Sequence, residues 1–206
     1  MKVCGIYLAA GRGSRMGGSK ISRELSPGVP LGSAALRELE HSGVAPLIVV
    51  VRADDPLDWL PPAANPILRR TEICFNADQG MSFSLRCGLN AAMSYQPDAV
   101  VIALADQPFV TAALFSRLLE TFHRFPELDY VACTDGVDRM VPALFSRTVF
   151  PALQRLEGDR GAARILRTAG YKGQIVVEPE SPSFAKDVDT ETQLRDVQLE
   201  WQRRTT

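Results

Sequence analysis

Short, nearly continuous apolar runs recur along the chain at Val3–Ala9, Leu47–Val51, Glu72–Phe75, Ala99–Leu104, Tyr130–Cys133 and Gln174–Val177. Runs of this kind predict strands covered on both faces. Between them the spacing turns helical. Leu36 and Leu39 mark Ser33–Ser42, and Leu85, Leu89 and Met93 mark Ser82–Met93. Leu114, Leu118 and Phe122 mark Thr111–Phe122, which Thr111 is suited to cap. A last helix is expected over Thr190–Arg204, with Leu194, Val197 and Trp201 on a stripe that reads as core packing, and a frayed end after it. Asp54–Pro66, with its four prolines, reads as a surface connection. Strands alternating with helices predict an α/β fold with a mainly parallel sheet, which binds ligands at the carboxyl ends of its strands. Chemistry is therefore expected in the loops after Ala9, Asn76, Leu104 and Cys133.

Composition narrows the classes. With 206 residues, the chain is expected to fold as one domain, 1–206. Its 23 basic and 24 acidic residues leave a net charge of −1, which argues against a protein built to coat nucleic acid or a membrane surface. A local group of cations on a phosphorylated ligand remains compatible with that balance. There is no apolar run of about 18 residues to cross a bilayer, and the N-terminus reads as a first strand rather than a signal peptide. Cys4, Cys74, Cys87 and Cys133 form no CxxC pair and read as reduced, buried thiols of a cytoplasmic protein. His41 and His123 both fall in expected helices, which disfavours a histidine-rich metal site.

Three clusters look chemical. Leu8-Ala9-Ala10-Gly11-Arg12-Gly13-Ser14-Arg15-Met16-Gly17-Gly18-Ser19-Lys20 follows a strand directly. Its glycines let backbone N–H groups approach a ligand, and Arg12, Arg15 and Lys20 add fixed positive charge, a combination suited to a triphosphate. It is neither a Walker A loop nor a dinucleotide fingerprint, since Gly-Lys-Ser/Thr and the third glycine are missing. Asp106, in Leu104-Ala105-Asp106-Gln107-Pro108, either faces a cation or caps the next turn. In Lys186-Asp187-Val188-Asp189-Thr190, alternate carboxylates share one side, or Asp189 and Thr190 cap the last helix. Asp78-Gln79-Gly80-Met81-Ser82-Phe83-Ser84-Leu85-Arg86, which leads into a helix, and Gly158-Asp159-Arg160-Gly161-Ala162-Ala163-Arg164 are polar, glycine-marked stretches suited to an anion or a base edge and to a second substrate, or to ordinary capping.

Taken in order, these segments resemble the MobA-like nucleotidyltransferases, most closely the molybdenum cofactor cytidylyltransferases, whose branch includes accessory proteins of purine catabolism and xanthine dehydrogenase maturation. Leu8–Lys20 resembles the family's Leu-Ala-Ala-Gly-x-Ser-x-Arg-Met-Gly-x-x-Lys, and Gly80–Arg86 its Gly-Met-Ser-x-Ser-Leu. Asp106-Gln107-Pro108, Pro142–Phe145, Gly158–Arg164 and Asp187–Leu194 resemble the remaining motifs in order. The resemblance implies a three-layer α/β sandwich with a mostly parallel twisted sheet, of the Rossmann-like nucleotide-diphospho-sugar transferase type. It implies transfer of CMP from CTP to the phosphate of a molybdopterin-type cofactor, with release of pyrophosphate and help from Mg²⁺. Arg15 and Lys20 are then the catalytic cations. Leu8, Ala9, Ala10, Gly11, Arg12, Gly13, Gly80, Met81, Ser82 and Asp106 serve the nucleotide. Gly158, Asp159, Gly161 and Arg164 serve the acceptor. Asp106 and Asp189 hold the metal, with Asp187 the alternative to Asp189. The expected partners are these small molecules and a molybdenum hydroxylase or its maturation chaperone, with no nucleic acid and no membrane. Transfer of GMP, a sugar-phosphate acceptor, and a non-catalytic cofactor-binding chaperone remain the alternatives.

Overall fold

The structure is a computed structural model that describes residues 1–13, 19–176 and 186–205. Its centre is a seven-stranded sheet. The strands are β1 (Val3–Leu8), β4 (Leu47–Arg52), β5 (Arg69–Cys74), β6 (Ala99–Leu104), β7 (Tyr130–Thr134), β8 (Arg139–Ser146) and β9 (Gly173–Val176). The order is β5-β4-β1-β6-β8-β7-β9, and a small hairpin of β2 (Glu24–Ser26) and β3 (Val29–Pro30) stands apart. All neighbours in the large sheet pair in parallel except those of β8, which is antiparallel to both β6 and β7.

The alternation of side chains explains the three layers. In β1, Val3, Tyr7 and Ala9 enter one core while Cys4, Ile6, Leu8 and Ala10 enter the other. In β4, Leu47, Val49 and Val51 oppose Ile48 and Val50 in the same way. A strand with two buried faces must be apolar at every position. The first core is covered by α1 (Leu31–His41) and α3 (Ala112–Arg124), the second by α2 (Met81–Met93) with the short α4 (Phe150–Gln154) and α5 (Ala163–Leu166). A third cluster of Leu25, Leu31, Phe109, Val188, Leu194 and Val197 fastens α6 (Glu191–Thr205) beside the hairpin.

Three expectations change. The segment Arg139–Ser146 is a strand, inserted between β6 and β7. Pro142 argues against a central strand, because proline cannot donate to the ladder. Here Cys133 pairs with Met140 and Ala132 with Ala143, so Val141 and Pro142 lie in a bulge with no partner on β7. The connection 54–66 is not wholly superficial, since Trp59 is buried among Tyr7, Ile21 and their neighbours. The last helix runs to Thr205, with Arg204 bonded to Glu200 one turn earlier, instead of fraying at Arg203. Its apolar stripe does pack inward, with Trp201 against Phe109. None of the four cysteines is in a disulfide, and Cys4, Cys74 and Cys133 are buried. No helix among the described residues is long and apolar enough to cross a membrane.

Helix α2 lies so close to the sheet that a Cβ at Gly88 would come within 2.6 Å of Ile6 and 2.8 Å of Val50. Overpacking of this kind costs about 1–3 kcal/mol. Gly88→Val should therefore lower the melting temperature, by about 2–4 °C for each kcal/mol lost in a chain of this size. An unchanged thermal transition would show that the α2–sheet contact yields freely.

Candidate functional site

Strand order turns back at β1. The chain moves outward from β1 to β4 and β5, then crosses to the other side of β1 as β6. Ligands of open α/β sheets bind in the crevice at such a reversal, beyond the carboxyl ends of the strands. Leu8 of β1 is level with Leu104 of β6, so Ala9–Gly13 and Ala105-Asp106 leave the sheet side by side. A cavity of about 560 Å³ opens there. It is lined by Leu8–Gly13, Lys20 and Ile21, by Ala77, Asp78, Gly80, Met81 and Ser84, by Leu104–Asp106, and by Asp159 and Asp189.

At one wall three charged side chains meet. The Lys20 ammonium donates to Asp106 Oδ2 at 2.7 Å and to Asp189 Oδ1 at 2.8 Å. Burial pulls the lysine pKa down, but the charge of Asp106 and the hydrogen bonds to both carboxylates outweigh it, so the pKa lies above its ordinary value. The two arms are unequal. Lys20 and Asp106 side chains are 10% and 21% exposed, whereas Asp189 is 47% exposed and screened by water. Neighbouring bonds hold the acidic groups in place. Val188 N–H donates to the Asp106 carbonyl, and Gln107 Nε2 donates to Asp187 Oδ1 at 2.9 Å. Thr190 caps α6 by accepting from Gln193 N–H, and the Gln193 side chain accepts from Asp189 N–H. Thr190 thus does the capping, and the Asp189 carboxylate is left to face Lys20.

The opposite wall is an interlock of two loops. Gly80 has φ +120°, and a Cβ there would meet the Gly158 backbone at 2.4 Å. Ser82 N–H donates to the Gly158 carbonyl at 3.0 Å. Gly161 leaves room for the Met81 sulfur, which a Cβ would meet at 2.4 Å. These glycines serve close approach of backbone and side chain, and they make the loop before α2 and the loop before α5 one wall.

The structure brings most of the sequence-predicted positions together, with exceptions. Arg15 lies outside the described residues. Ser82 does not line the cavity. Its side chain is fully buried and its hydroxyl has no partner among the described residues, while its N–H ties the two loops. Gly158 and Gly161 shape the wall from behind, and only Asp159 of that segment reaches the cavity. Arg164 is exposed outside the lining, because the short α5 directs Ile165 and Leu166 inward instead. The turn after Cys133 also stays away, since β8 separates β7 from β6. Asp78 and Ser84, from the polar run that leads into α2, line the cavity, and Ile21 and Ala77 line it without having been singled out. Their place next to Lys20 and to that polar run was the available signal. Asp78 approaches Arg12 at 3.5 Å, an exposed pair of little energetic weight.

Two carboxylates converging on one cation from different segments are also a donor set that fits a hard divalent ion, which takes one or two carboxylates together with phosphate oxygens. Asp106 and Asp189 would hold it.

Asp187 is the titrating neighbour. The residue is exposed overall, but its carboxyl pKa is raised from 3.8 to about 6, first by burial of the carboxyl and then by the charge of Asp106, against a lowering by the Gln107 hydrogen bond. A raised carboxyl pKa means that the folded state binds the proton more tightly than the unfolded one. Stability therefore rises as pH falls from about 6 towards 3.8. Asp187→Asn cannot ionise and keeps an acceptor for Gln107. Measured without nucleotide or metal, it should melt above the parent at pH 7, and the difference should shrink as the pH is lowered through this window. A difference that does not vary with pH would contradict the assignment.

The chain is 32% identical over 191 residues to the purine catabolism protein PucB of Bacillus subtilis strain 168, covering 90% of this chain and 91% of that one. The crystal structure of Rv0371c from Mycobacterium tuberculosis H37Rv superimposes with a TM-score of 0.75 at 25% identity, covering 97% and 99% of the two chains. A structure of Rv0371c in complex with manganese matches with the same TM-score and coverage at 24% identity. The model of the MobA-like NTP transferase domain matches residues 5–175, and the chain belongs to that family.

Proposed function

We propose that this nucleotidyltransferase moves CMP from CTP to the phosphate of a molybdopterin-type molybdenum cofactor in the cytoplasm, with Mg²⁺ as the metal, and that the product serves a molybdenum hydroxylase. The observation that carries the reading is the meeting of Lys20, Asp106 and Asp189 at the edge of the cavity beyond β1 and β6. Among the described lining residues, Asp78, Asp106, Asp159 and Asp189 outnumber Arg12 and Lys20. A triphosphate entering such a site needs additional positive charge. A divalent ion on Asp106 and Asp189 supplies charge neutralisation at the phosphates.

In this reading the backbone of Ala9–Gly13 lies along the nucleotide, and Met81 and Ser84 border its base or ribose. Arg15 and Lys20 neutralise the phosphates. The acceptor phosphate attacks the α-phosphorus of CTP in line and pyrophosphate leaves, so no covalent enzyme intermediate is needed and the residues act by position and charge. Asp159 and the loop behind it border the acceptor. The likeness to a purine catabolism protein supports a hydroxylase client.

The test is pyrophosphate release from each of the four NTPs with molybdenum cofactor and Mg²⁺. CTP should be favoured over GTP by about 5- to 150-fold, the range that a difference of about 1–3 kcal/mol allows. Equal or better turnover with GTP would make the chain a guanylyltransferase, and no release with any nucleotide would favour a cofactor-carrying chaperone.

Lys20→Ala should act on turnover more than on binding, because its ammonium serves charge that grows in the transition state. The expected loss is about 10²–10³-fold in kcat with little change in KM. A normal kcat with only a raised KM for nucleotide would make Lys20 a plain binding residue.

A further inference from the structure

Strand β5 ends the sheet and, among the described residues, has no neighbour on its outer side. It pairs in parallel with β4, and Leu47 N–H donates to the Leu68 carbonyl. In a strand, the N–H and C=O of successive residues point to opposite sides. Residues 68, 70, 72 and 74 therefore direct their backbone groups at β4, and Arg69, Thr71 and Ile73 direct theirs outward. The Ile73 carbonyl accepts from the Cys87 thiol at 3.7 Å, a weak bond that a strand N–H can replace. An outward row of this kind is a template for another strand, and proteins usually blunt it with proline, lysine or a bulge. Arg69–Cys74 contains no proline or lysine and keeps an unbroken register with β4. Its arginines are also neutralised within the chain, Arg69 by Glu40 and Arg70 by Glu72.

The sequence of this edge is complementary to itself. Consider a second copy laid antiparallel with a twofold axis at Thr71. The outward groups of Thr71 then meet those of the second Thr71, and those of Arg69 meet those of Ile73, each as a mutually bonded pair. On the face of Arg70 and Glu72, each Arg70 falls directly opposite Glu72 of the other copy, with Cβ atoms about 4.5–5.5 Å apart. Ile67 and Phe75 lie in the turns that flank the strand and are 89% and 80% exposed, and Ile73 within it is 48% exposed, so large apolar side chains stand in water at this edge. A shift of the axis by one residue in either direction would still allow a hydrogen-bonded ladder, but it would set Arg70 opposite Arg70 or Glu72 opposite Glu72 and lose the charge pairing. We propose that β5 is a homodimer interface, in which two copies join their sheets through antiparallel β5 strands about a twofold axis at Thr71.

The experiment is sedimentation equilibrium of the full chain over a concentration series, with hydrogen exchange at low and high concentration. A reversible dimer is expected, and the amides of Arg69, Thr71 and Ile73 should gain protection as it forms. Arg70→Glu places like charges opposite each other at two symmetry-related sites and should weaken the dimer by at least about tenfold. Glu72→Arg should do the same, and the double variant R70E/E72R should restore association to near the parental value. Thr71→Pro should abolish the dimer and keep the monomer folded, since proline is tolerated where an edge N–H faces solvent. Circular dichroism of each variant checks the fold, and the charge-swap pair keeps the test valid if the proline variant fails to fold. A chain that stays monomeric throughout the series would overturn the proposal, whether the edge then pairs with a strand of another protein or with none. A dimer indifferent to Thr71→Pro and to both charge reversals would overturn it as well, by locating the contact elsewhere.

Discussion

A buried ammonium must be answered by negative charge, and at this site two carboxylates answer it. Lys20 has lost most of its water, and desolvation of a cation is repaid only by close, well-aligned partners. Asp106 supplies the drier arm and Asp189 the wetter one. Each of the three residues therefore needs a framework that holds it within hydrogen-bond distance of the other two. Lys20 sits on a short 3-10 turn whose Ile21 enters the core beneath α1. Asp106 follows β6 with no intervening freedom. Asp189 is far from the sheet in sequence and depends on the third apolar cluster, where Val188, Leu194 and Val197 pack with Leu25, Leu31 and Phe109.

That cluster gives the small hairpin and the last helix a clear purpose. They add little to the two main cores and stand outside the cavity lining, yet they hold the segment that brings Asp189 to Lys20. Arg23 forms a two-point contact with Glu191 at the first turn of α6, and Gln198 donates to the Glu24 carbonyl. The polar contacts set the angle of approach, while the burial of Val188 between two carboxylate-bearing neighbours fixes their depth. On the far side, the fit of Gly80 against Gly158 removes the gap that any larger residue would keep open.

The parts of this arrangement differed in how visible they were in the sequence. β1, β4 and β6 were plain because both faces are buried and every position is apolar. The first half of β5 was not, because an edge strand half in water can carry Arg69, Arg70 and Thr71. β8 was hidden by a proline whose place in a bulge depends on the pairing of another strand. Lys20, Asp106 and Asp189 could each be singled out as charged residues beside turns and strand ends. Their bonding to one another is a tertiary fact with no local signature. Arg164 stands apart for the opposite reason: a motif position singled it out, and the four-residue helix leaves it exposed outside the cavity lining. Ser82 stood in a conspicuous glycine-marked run, but helix α2 turns its side chain into the core.

The separation of Lys20 from Asp189 also has a bearing on how the protein matures. The pair spans 169 positions, so it is among the last contacts a growing chain can make. At synthesis rates of about 5–20 residues per second, roughly 10–30 s pass between the emergence of the lysine and that of its second carboxylate. Through that interval residues 8–13 are already made, and from the completion of β6 onward Lys20 can pair with Asp106 alone. The cavity wall is thus synthesised piecemeal, and its charged triad is closed only when the segment that carries Asp189 arrives.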